Sequence, residues 1–310
     1  MDKIFFIGII IGIISRLIML HLDQKQYPTE PNVLLSQLVL AFVASSLGAL
    51  LVPALIERSY TSITFLSLAA QQFRQVRDNR RDTLQKLEDV QLIQRGDAFI
   101  EEIARTYEVR NYTCIITSFF TVGLYYVLSS EFKLGTILAI IISSIFGLIS
   151  AFVLKKLITR QSIGDIADVV PAKISFVDEC IMQIGELKGI TNIGLEADRE
   201  KYLSKGLAIE IKPKDNSYIN LGTIYDPGQR QAIIYNIYSR IGILRENNEP
   251  AFYPLPRVNL ETGSLMIAVV PVDKDINKLI DAVKSCPILS SSKGKNVSLN
   301  DYKIYKKGSN

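Results

Sequence analysis

The segment FIEEIARTYEVRNY, residues 99–112, leads from a charged stretch into a long apolar run, and this junction decides how the fold is divided. On a helix, Ile100 and Ile103 share one face because they are three residues apart. Glu101 and Arg105 have the i, i+4 spacing that favours an ion pair. Such a helix is either a solvated helix stabilised by ion pairs or a surface for a partner or for catalysis.

Four apolar runs predict membrane-spanning helices. Each can cross a hydrocarbon core of ~30 Å at a rise of ~1.5 Å per residue. Hydrophobic residues make up 48% of the chain and are concentrated in its first half. We therefore expect an α-helical membrane bundle of four transmembrane helices, a cytoplasmic helical hairpin and a C-terminal α+β domain. The four runs are Ile4–His21, Val33–Ile56, Asn111–Ser130 and Leu134–Leu154.

The distribution of Lys and Arg predicts the orientation. Most of them lie between the second and third runs or after the fourth, whereas the two opposite loops hold only Lys25 and Lys133. By the positive-inside rule, we expect a multi-pass protein of the bacterial cell membrane with both termini in the cytoplasm.

The domain organisation follows from these runs and from the turn signals. Gly96 should break the hairpin into an outgoing and a returning helix. In the C-terminal domain, Asp226 and Asp273 are expected to cap helices. Strands are predicted over 172–188, 206–212 and 264–270. The predicted segments are 1–56 for helices 1 and 2, 57–110 for the hairpin, 111–158 for helices 3 and 4, 159–171 for a linker, 172–292 for the α+β domain and 293–310 for a flexible basic tail.

Composition and missing motifs argue against several classes of function. No cluster of His, Cys and carboxylates has the spacing of a zinc site, and neither a P-loop nor a G-x-S-x-G motif occurs, so we predict no metal and no cofactor. The excess of 35 Lys and Arg over 31 Asp and Glu is too small to indicate nucleic-acid binding. Three cysteines and one histidine do not suggest a disulfide framework.

Ionisable residues near the apolar runs are the main functional candidates. Arg16 lies inside the first run and needs a polar partner, of which Asp23 is the nearest acidic one. A clamp that fixes the bundle is favoured over catalysis. Tyr27 precedes Pro28 and suits an interfacial turn.

Charged residues of the hairpin form the second group. Arg74 and Arg77 share one helix face and could meet lipid headgroups or the carboxylates of the returning helix. Among the glutamates, a carboxylate pair could catalyse acid–base hydrolysis if burial raised one pKa. Paired serines within the apolar runs either pack helices or supply a nucleophile that lacks an evident base. The candidates of both groups are Arg16, Asp23, Tyr27, Arg74, Arg77, Glu101, Glu102, Arg105, Glu108, Arg110 and Asn111.

Residues 99–104, FIEEIA, resemble the hexapeptide that names the YIEGIA family of spore-forming Gram-positive bacteria. Further matches are Arg16 with Met19-Leu20, Asp23 with Gln26-Tyr27-Pro28, and the stretch AAQQFR at 69–74. Phe99 and Glu102 depart from the signature, which has tyrosine and glycine there.

The resemblance implies a role linked to sporulation and a small partner described as a capping subunit. It supplies no established reaction, but it raises the alternative of a membrane protease that the cap restrains. The leading hypothesis is a regulator or scaffold that acts through the hairpin and the C-terminal domain. The expected partners are the capping protein and membrane lipids, with a protein substrate if the chain is a protease, and not nucleic acid.

Overall fold

The computed structural model divides the chain into two compact units. The helical unit comprises Met1–Thr83 and Ile103–Thr159, and the sheet unit comprises Leu84–Glu102 and Arg160–Asn310. The structure describes residues 2–26, 33–159, 161–215, 218–246 and 249–294, without the side chains of residues 2, 20–26, 33, 34 and 36.

Five long helices form the helical unit and the segment that connects it to the sheet unit. They are α1 (Asp2–Gln26), α2 (Val33–Ile56), α3 (Tyr60–Glu88), α4 (Asp97–Ser130) and α5 (Thr136–Ile158). Within the described residues, three segments are long and apolar enough to cross a membrane, namely Gln37–Ile56, α4 and α5. The first predicted run lies in α1, and its crossing stays a prediction.

Close packing of small residues fixes the directions of these helices. A Cβ on Gly12 of α1 would overlap Ser45 of α2. A Cβ on Gly48 of α2 would overlap the carbonyl group of Ile115 in α4. Such sites let helix backbones approach closely. Helix α1 runs antiparallel to both α2 and α4, and α2 and α4 run parallel to each other.

The antiparallel helix pair predicted for residues 57–110 is formed by α3 and the start of α4, with Gly96 at positive φ between them. One detail differs from the predicted cytoplasmic hairpin: helix α3 packs beside α2, where Phe73 joins a buried cluster with Ala41 and Ala44. The charged segment leads directly into the third apolar run, as the sequence indicates, because no Gly or Pro separates Asn111 from the charged turns before it.

The sheet unit is an α+β fold around a four-stranded antiparallel sheet of order β1-β4-β8-β7. Two-stranded sheets are formed by β2 with β3 and by β5 with β6. The elements are α6 (Ile163–Ile166), β1 (Ala167–Ala172), β2 (Ile174–Val177), β3 (Ile181–Ile184), α7 (Glu196–Lys205), β4 (Leu207–Pro213), α8 (Tyr218–Tyr225), α9 (Pro227–Ile241), β5 (Arg245–Glu246), β6 (Glu249–Pro250), β7 (Leu255–Asn259), β8 (Ser264–Val269) and α10 (Ile276–Lys284).

The two faces of the main sheet are covered differently. On one face, Ile209, Ile211 and Ile267 are fully buried, and α8 and α10 contact the strands. On the other, the β2–β3 hairpin and α7 cover only one end, where Met182 and Met266 share a cluster. The uncovered end of this second face remains polar.

Three local predictions in this unit require correction. Part of the predicted linker forms α6 and the edge strand β1, because Ala167 and Val169 alternate into the core. The predicted strand 172–188 is instead the end of β1 followed by a hairpin that turns at Asp178 and Glu179, both at positive φ. Asp275, not Asp273, caps α10.

Other predictions hold. Asp226 caps α9, with its carboxylate accepting a bond from the backbone N–H of Gln229, and Pro227 follows at the first helical position. Strand β4 lies where residues 206–212 were predicted, and β8, which is buried along its whole length, lies where the strand 264–270 was predicted. Most of the predicted basic tail, residues 295–310, lies outside the described residues.

Candidate functional site

The signature helix α4 begins at a turn that one carboxylate organises. Glu88 accepts a hydrogen bond from the backbone N–H of Arg95 at 2.6 Å and from that of Gly96 at 3.1 Å. Its other oxygen accepts from the Arg95 guanidinium at 3.0 Å. Both side chains of this ion pair are largely buried. These charge-assisted hydrogen bonds hold the turn in place, and the first residues of α4 that follow it belong to the sheet unit.

The first residues of the signature are part of the core of the sheet unit. Phe99 and Ile100 are fully buried. The Phe99 ring packs edge to face on Tyr235 of α9, with centroids 5.9 Å apart, and the Arg95 guanidinium lies 5.0 Å from the same tyrosine ring. Burial raises the pKa of Tyr235, although Arg95 partly opposes this effect. A phenylalanine at position 99 thus serves packing.

Glu102 holds a loop of the sheet unit. It is 3% exposed, and its Oε2 accepts a hydrogen bond from the backbone N–H of Ser290 at 2.9 Å. The same loop is fixed by Gln229, whose Oε1 accepts from the backbone N–H of Leu289 and from the hydroxyl of Ser292. The glutamate that replaces the signature glycine therefore has a structural contact of its own.

A charged cluster joins α3 to α4 in the helical unit. Glu108 accepts from Arg77 at 3.1 Å and from the Tyr112 hydroxyl at 3.0 Å. Arg74 lies 3.9 Å from the same carboxylate. Of the two roles considered for Arg74 and Arg77, the structure thus brings both toward a carboxylate of the returning helix.

Tyr107 forms a second contact between these helices. The guanidinium of Arg80 lies 5.0 Å from its ring centroid, and that of Arg110 lies 5.1 Å from it. Arg110 is only 3% exposed. The contact of Arg80 with this ring links α3 to α4, whereas Arg110 contacts the ring from within α4.

The remaining predicted residues do not gather at one place. Arg16 and Asn111 are buried in the helical unit, at 1% exposure each. Arg105 is exposed. The side chain of Asp23 and all of Tyr27 lie outside the described residues.

The hydroxyl groups considered as nucleophiles are used locally. Ser46 donates to the carbonyl of Phe42, and Ser143 donates to that of Ile140. Ser45 is buried beside Gly12. These arrangements are typical of helix packing in bundles. Among the described residues, no group of three His, Cys, Asp or Glu side chains could hold a metal ion.

Sequence reasoning missed a polar pocket of about 400 Å³ on the uncovered end of the main sheet. Glu210 and Lys212 lie two residues apart on β4 and form an ion pair of 3.2 Å across its surface. Asn259 and Thr262 line the pocket from β7 and the following turn, and Glu186 lines it from the turn after β3. Alternating charged residues on β4 were the available signal, but the pocket depends on the register of three strands.

Comparison with known proteins gives two matches. A family model described as "YIEGIA protein" matches residues 4–299. The chain is also 33% identical over 291 residues to "Uncharacterized protein YphB" of Bacillus subtilis (strain 168), which covers 92% of this chain and 91% of that protein. No solved structure matches.

Proposed function

Because this chain belongs to the YIEGIA family, we propose that it is a multi-pass membrane protein of spore-forming bacteria that regulates or organises partner proteins. The Lys and Arg residues between the second and third apolar runs and directly after the fourth support a cytoplasmic location for the sheet unit. Its partner would be a small protein of the capping type that the family resemblance implies.

The polar pocket is the observation that carries this proposal. With a volume of about 400 Å³, it is large enough for one or two side chains of a bound segment. Glu186 and Glu210 provide acceptors, Lys212 provides a cation, and Met266 forms an apolar floor. This set of groups is suited to a peptide that carries charges of both signs.

The contacts of Glu102 and Glu108 favour a regulator over an enzyme. Glu102 accepts from a backbone N–H, and Glu108 binds Arg77 and Tyr112. A general acid or base must be able to reach a substrate and exchange a proton with it. We therefore assign these two residues to the architecture of the signature helix.

The test is complementation of a deletion strain with Lys212→Glu and with the matched control Lys188→Glu. Lys188 is exposed in the segment after β3 and is not among the residues that line the pocket. We expect Lys212→Glu to lower sporulation and recovery of the small partner at an unchanged membrane level, and Lys188→Glu to have no effect. Full complementation with undiminished partner recovery by Lys212→Glu would contradict the proposal.

The same strains test the protease alternative. A protease would lower the level of a co-expressed partner, and Glu108→Gln would restore that level while the membrane protein itself stayed at its normal level. A partner whose level does not respond to the chain or to Glu108→Gln supports the regulator.

A further inference from the structure

The directions of α2 and α4 constrain the path of the chain through a membrane. Along α2, Ala44 shares a cluster with Cys114 of α4, and eight residues later Val52 shares a cluster with Val122. The two helices are thus in contact and run parallel. Both contain segments that qualify as membrane spans.

Two parallel spans must begin on the same side of a bilayer. The chain leaves α2 on the side opposite to that on which α4 begins. The intervening segment therefore has to cross the membrane an odd number of times. A hairpin that stays on one side, as predicted for residues 57–110, does not satisfy this requirement.

Helix α3 follows the required return path. Near its start, Phe65 and Leu66 lie with Leu50 around one pocket at the end of α2. Two turns later, Phe73 packs in the cluster that contains Ala41. Beyond it, Arg77 and Arg80 reach the charged first half of α4. Helix α3 thus covers α2 from its end almost to its beginning.

The outward face of this part of α3 is uncharged and carries three large apolar or aromatic side chains among exposed Ser, Thr and Gln residues. Tyr60, Phe65 and Leu68 are 78%, 71% and 54% exposed. The segment from Ser59 to Phe73 has no charged residue, and its 15 residues span about 22 Å on a helix. Arg58 and Arg74 flank it with side chains long enough to snorkel toward the headgroups.

We infer that α3 crosses the membrane as a fifth span and that its outward face contacts lipid acyl chains. This face continues the exposed apolar surface of α2 and α5, where Leu50 and Ile145 are exposed as well. In water, an apolar surface of this extent would be unfavourable, whereas in hydrocarbon it costs nothing. Five crossings place Lys3 and Leu84 on opposite sides, instead of both in the cytoplasm.

Charge asymmetry is compatible with this topology. One side receives Lys3, Arg58 and Lys133, whereas the other receives the arginines of the second half of α3 and the basic residues after α5. By the positive-inside rule, the second side is cytoplasmic, so the N-terminus of α1 lies outside. The resulting topology differs from that of four spans at one accessible place, the turn between α2 and α3.

Cysteine labelling in intact cells tests this turn. Glu57→Cys is made in a Cys180→Ser background, and the buried Cys114 and Cys286 are kept. Burial raises the pKa of Cys286 to about 12, which keeps its thiol unreactive. With a membrane-impermeant maleimide, we expect Glu57→Cys to react like Glu131→Cys in the turn between α4 and α5, and Glu196→Cys of the sheet unit to react only after permeabilisation.

If Glu57→Cys reacts only after permeabilisation, as Glu196→Cys should, the fifth span is disproved. If the Glu57→Cys variant does not accumulate in the membrane, labelling of Ser59→Cys tests the accessibility of the same turn. The amount of each variant in the membrane is measured by immunoblotting. Labelling is compared only among variants that are present at the normal level.

Lipid contact has its own test because the chain contains no tryptophan. Phe65→Trp in the purified full chain is reconstituted into phosphatidylcholine vesicles with or without brominated acyl chains. We expect bromine to quench its fluorescence, but not that of the controls Phe73→Trp, which is buried, and Tyr253→Trp in the sheet unit. Equal emission of Phe65→Trp in both vesicles would show that α3 is not in contact with acyl chains.

Discussion

At the scale of single residues, Glu88 has a larger role than its place at the end of α3 suggests. Its carboxylate accepts from two backbone N–H groups and one guanidinium. These bonds close the turn from which the signature helix starts. Removing one partner of a buried, charged hydrogen-bond network leaves the other groups unsatisfied.

We predict that Glu88→Ala lowers the free energy of unfolding by about 2–4 kcal/mol. Asp89→Ala is the matched control, because Asp89 is the exposed neighbour. The measurement is thermal or denaturant unfolding of the detergent-solubilised chain. Equal stability of the two variants would mean that the turn forms without the carboxylate.

Arg110 shows why residue roles were hard to predict. The sequence places it among the charged residues of the predicted hairpin. In the structure it is almost fully buried against Tyr107. Arg105, five residues earlier on the same helix, is exposed. Helical periodicity gives the faces of α4, but only tertiary packing determines which face is covered.

At the scale of elements, the crossing of α2 and α4 depends on a glycine. Gly48 has no space for a Cβ because the Ile115 carbonyl occupies it. Backbone atoms cannot move aside as a flexible side chain can. The parallel contact between these helices therefore requires glycine at this position.

Gly48→Ala is expected to destabilise the helical unit by about 1–3 kcal/mol, the usual cost of overpacking. Gly135→Ala serves as control, since a Cβ there meets nothing within 4 Å. Size-exclusion profiles after graded heating of the full chain would measure the effect. Identical profiles for the two variants would contradict the tight crossing.

Sequence patterns predicted most helices but not the partners or directions of these helices. Long uncharged runs gave α2, α5 and the second half of α4 within a few residues. The first half of α3 is rich in Ser, Thr and Gln, so its composition resembles a surface helix. Its place beside α2 follows from shape and small-residue contacts, which hydropathy does not encode.

At the scale of the whole molecule, the sheet unit is discontinuous in sequence. Leu84–Glu102 belongs to it together with the residues after 160. Ile93 packs with Ile234 and Ile243, and Phe99 packs on Tyr235. The candidate signature was predicted as an exposed surface, whereas its first residues fill a gap in the α+β domain.

A fragment of residues 161–310 should therefore be incomplete. We expect a peptide of residues 84–102 to raise its melting temperature in a concentration-dependent manner, because a ligand that binds only the folded state stabilises it. The Phe99→Ala peptide is the control and should have a much smaller effect. Stabilisation by neither peptide would show that the packing is dispensable.

The sheet unit consists of an early and a late part of the chain, so it cannot finish folding until the late part has been synthesised. Leu289 follows Glu102 by about 190 residues, so at about 5–20 residues per second the signature waits about 10–40 s for the loop that it holds. During this interval Phe99 and Ile100 lack their final cover. The last step of folding is thus the packing of the segment with Phe99 and Ile100 against the loop that contains Leu289. A nascent chain without its C-terminal part leaves this segment uncovered, which makes the chain a natural substrate for chaperones.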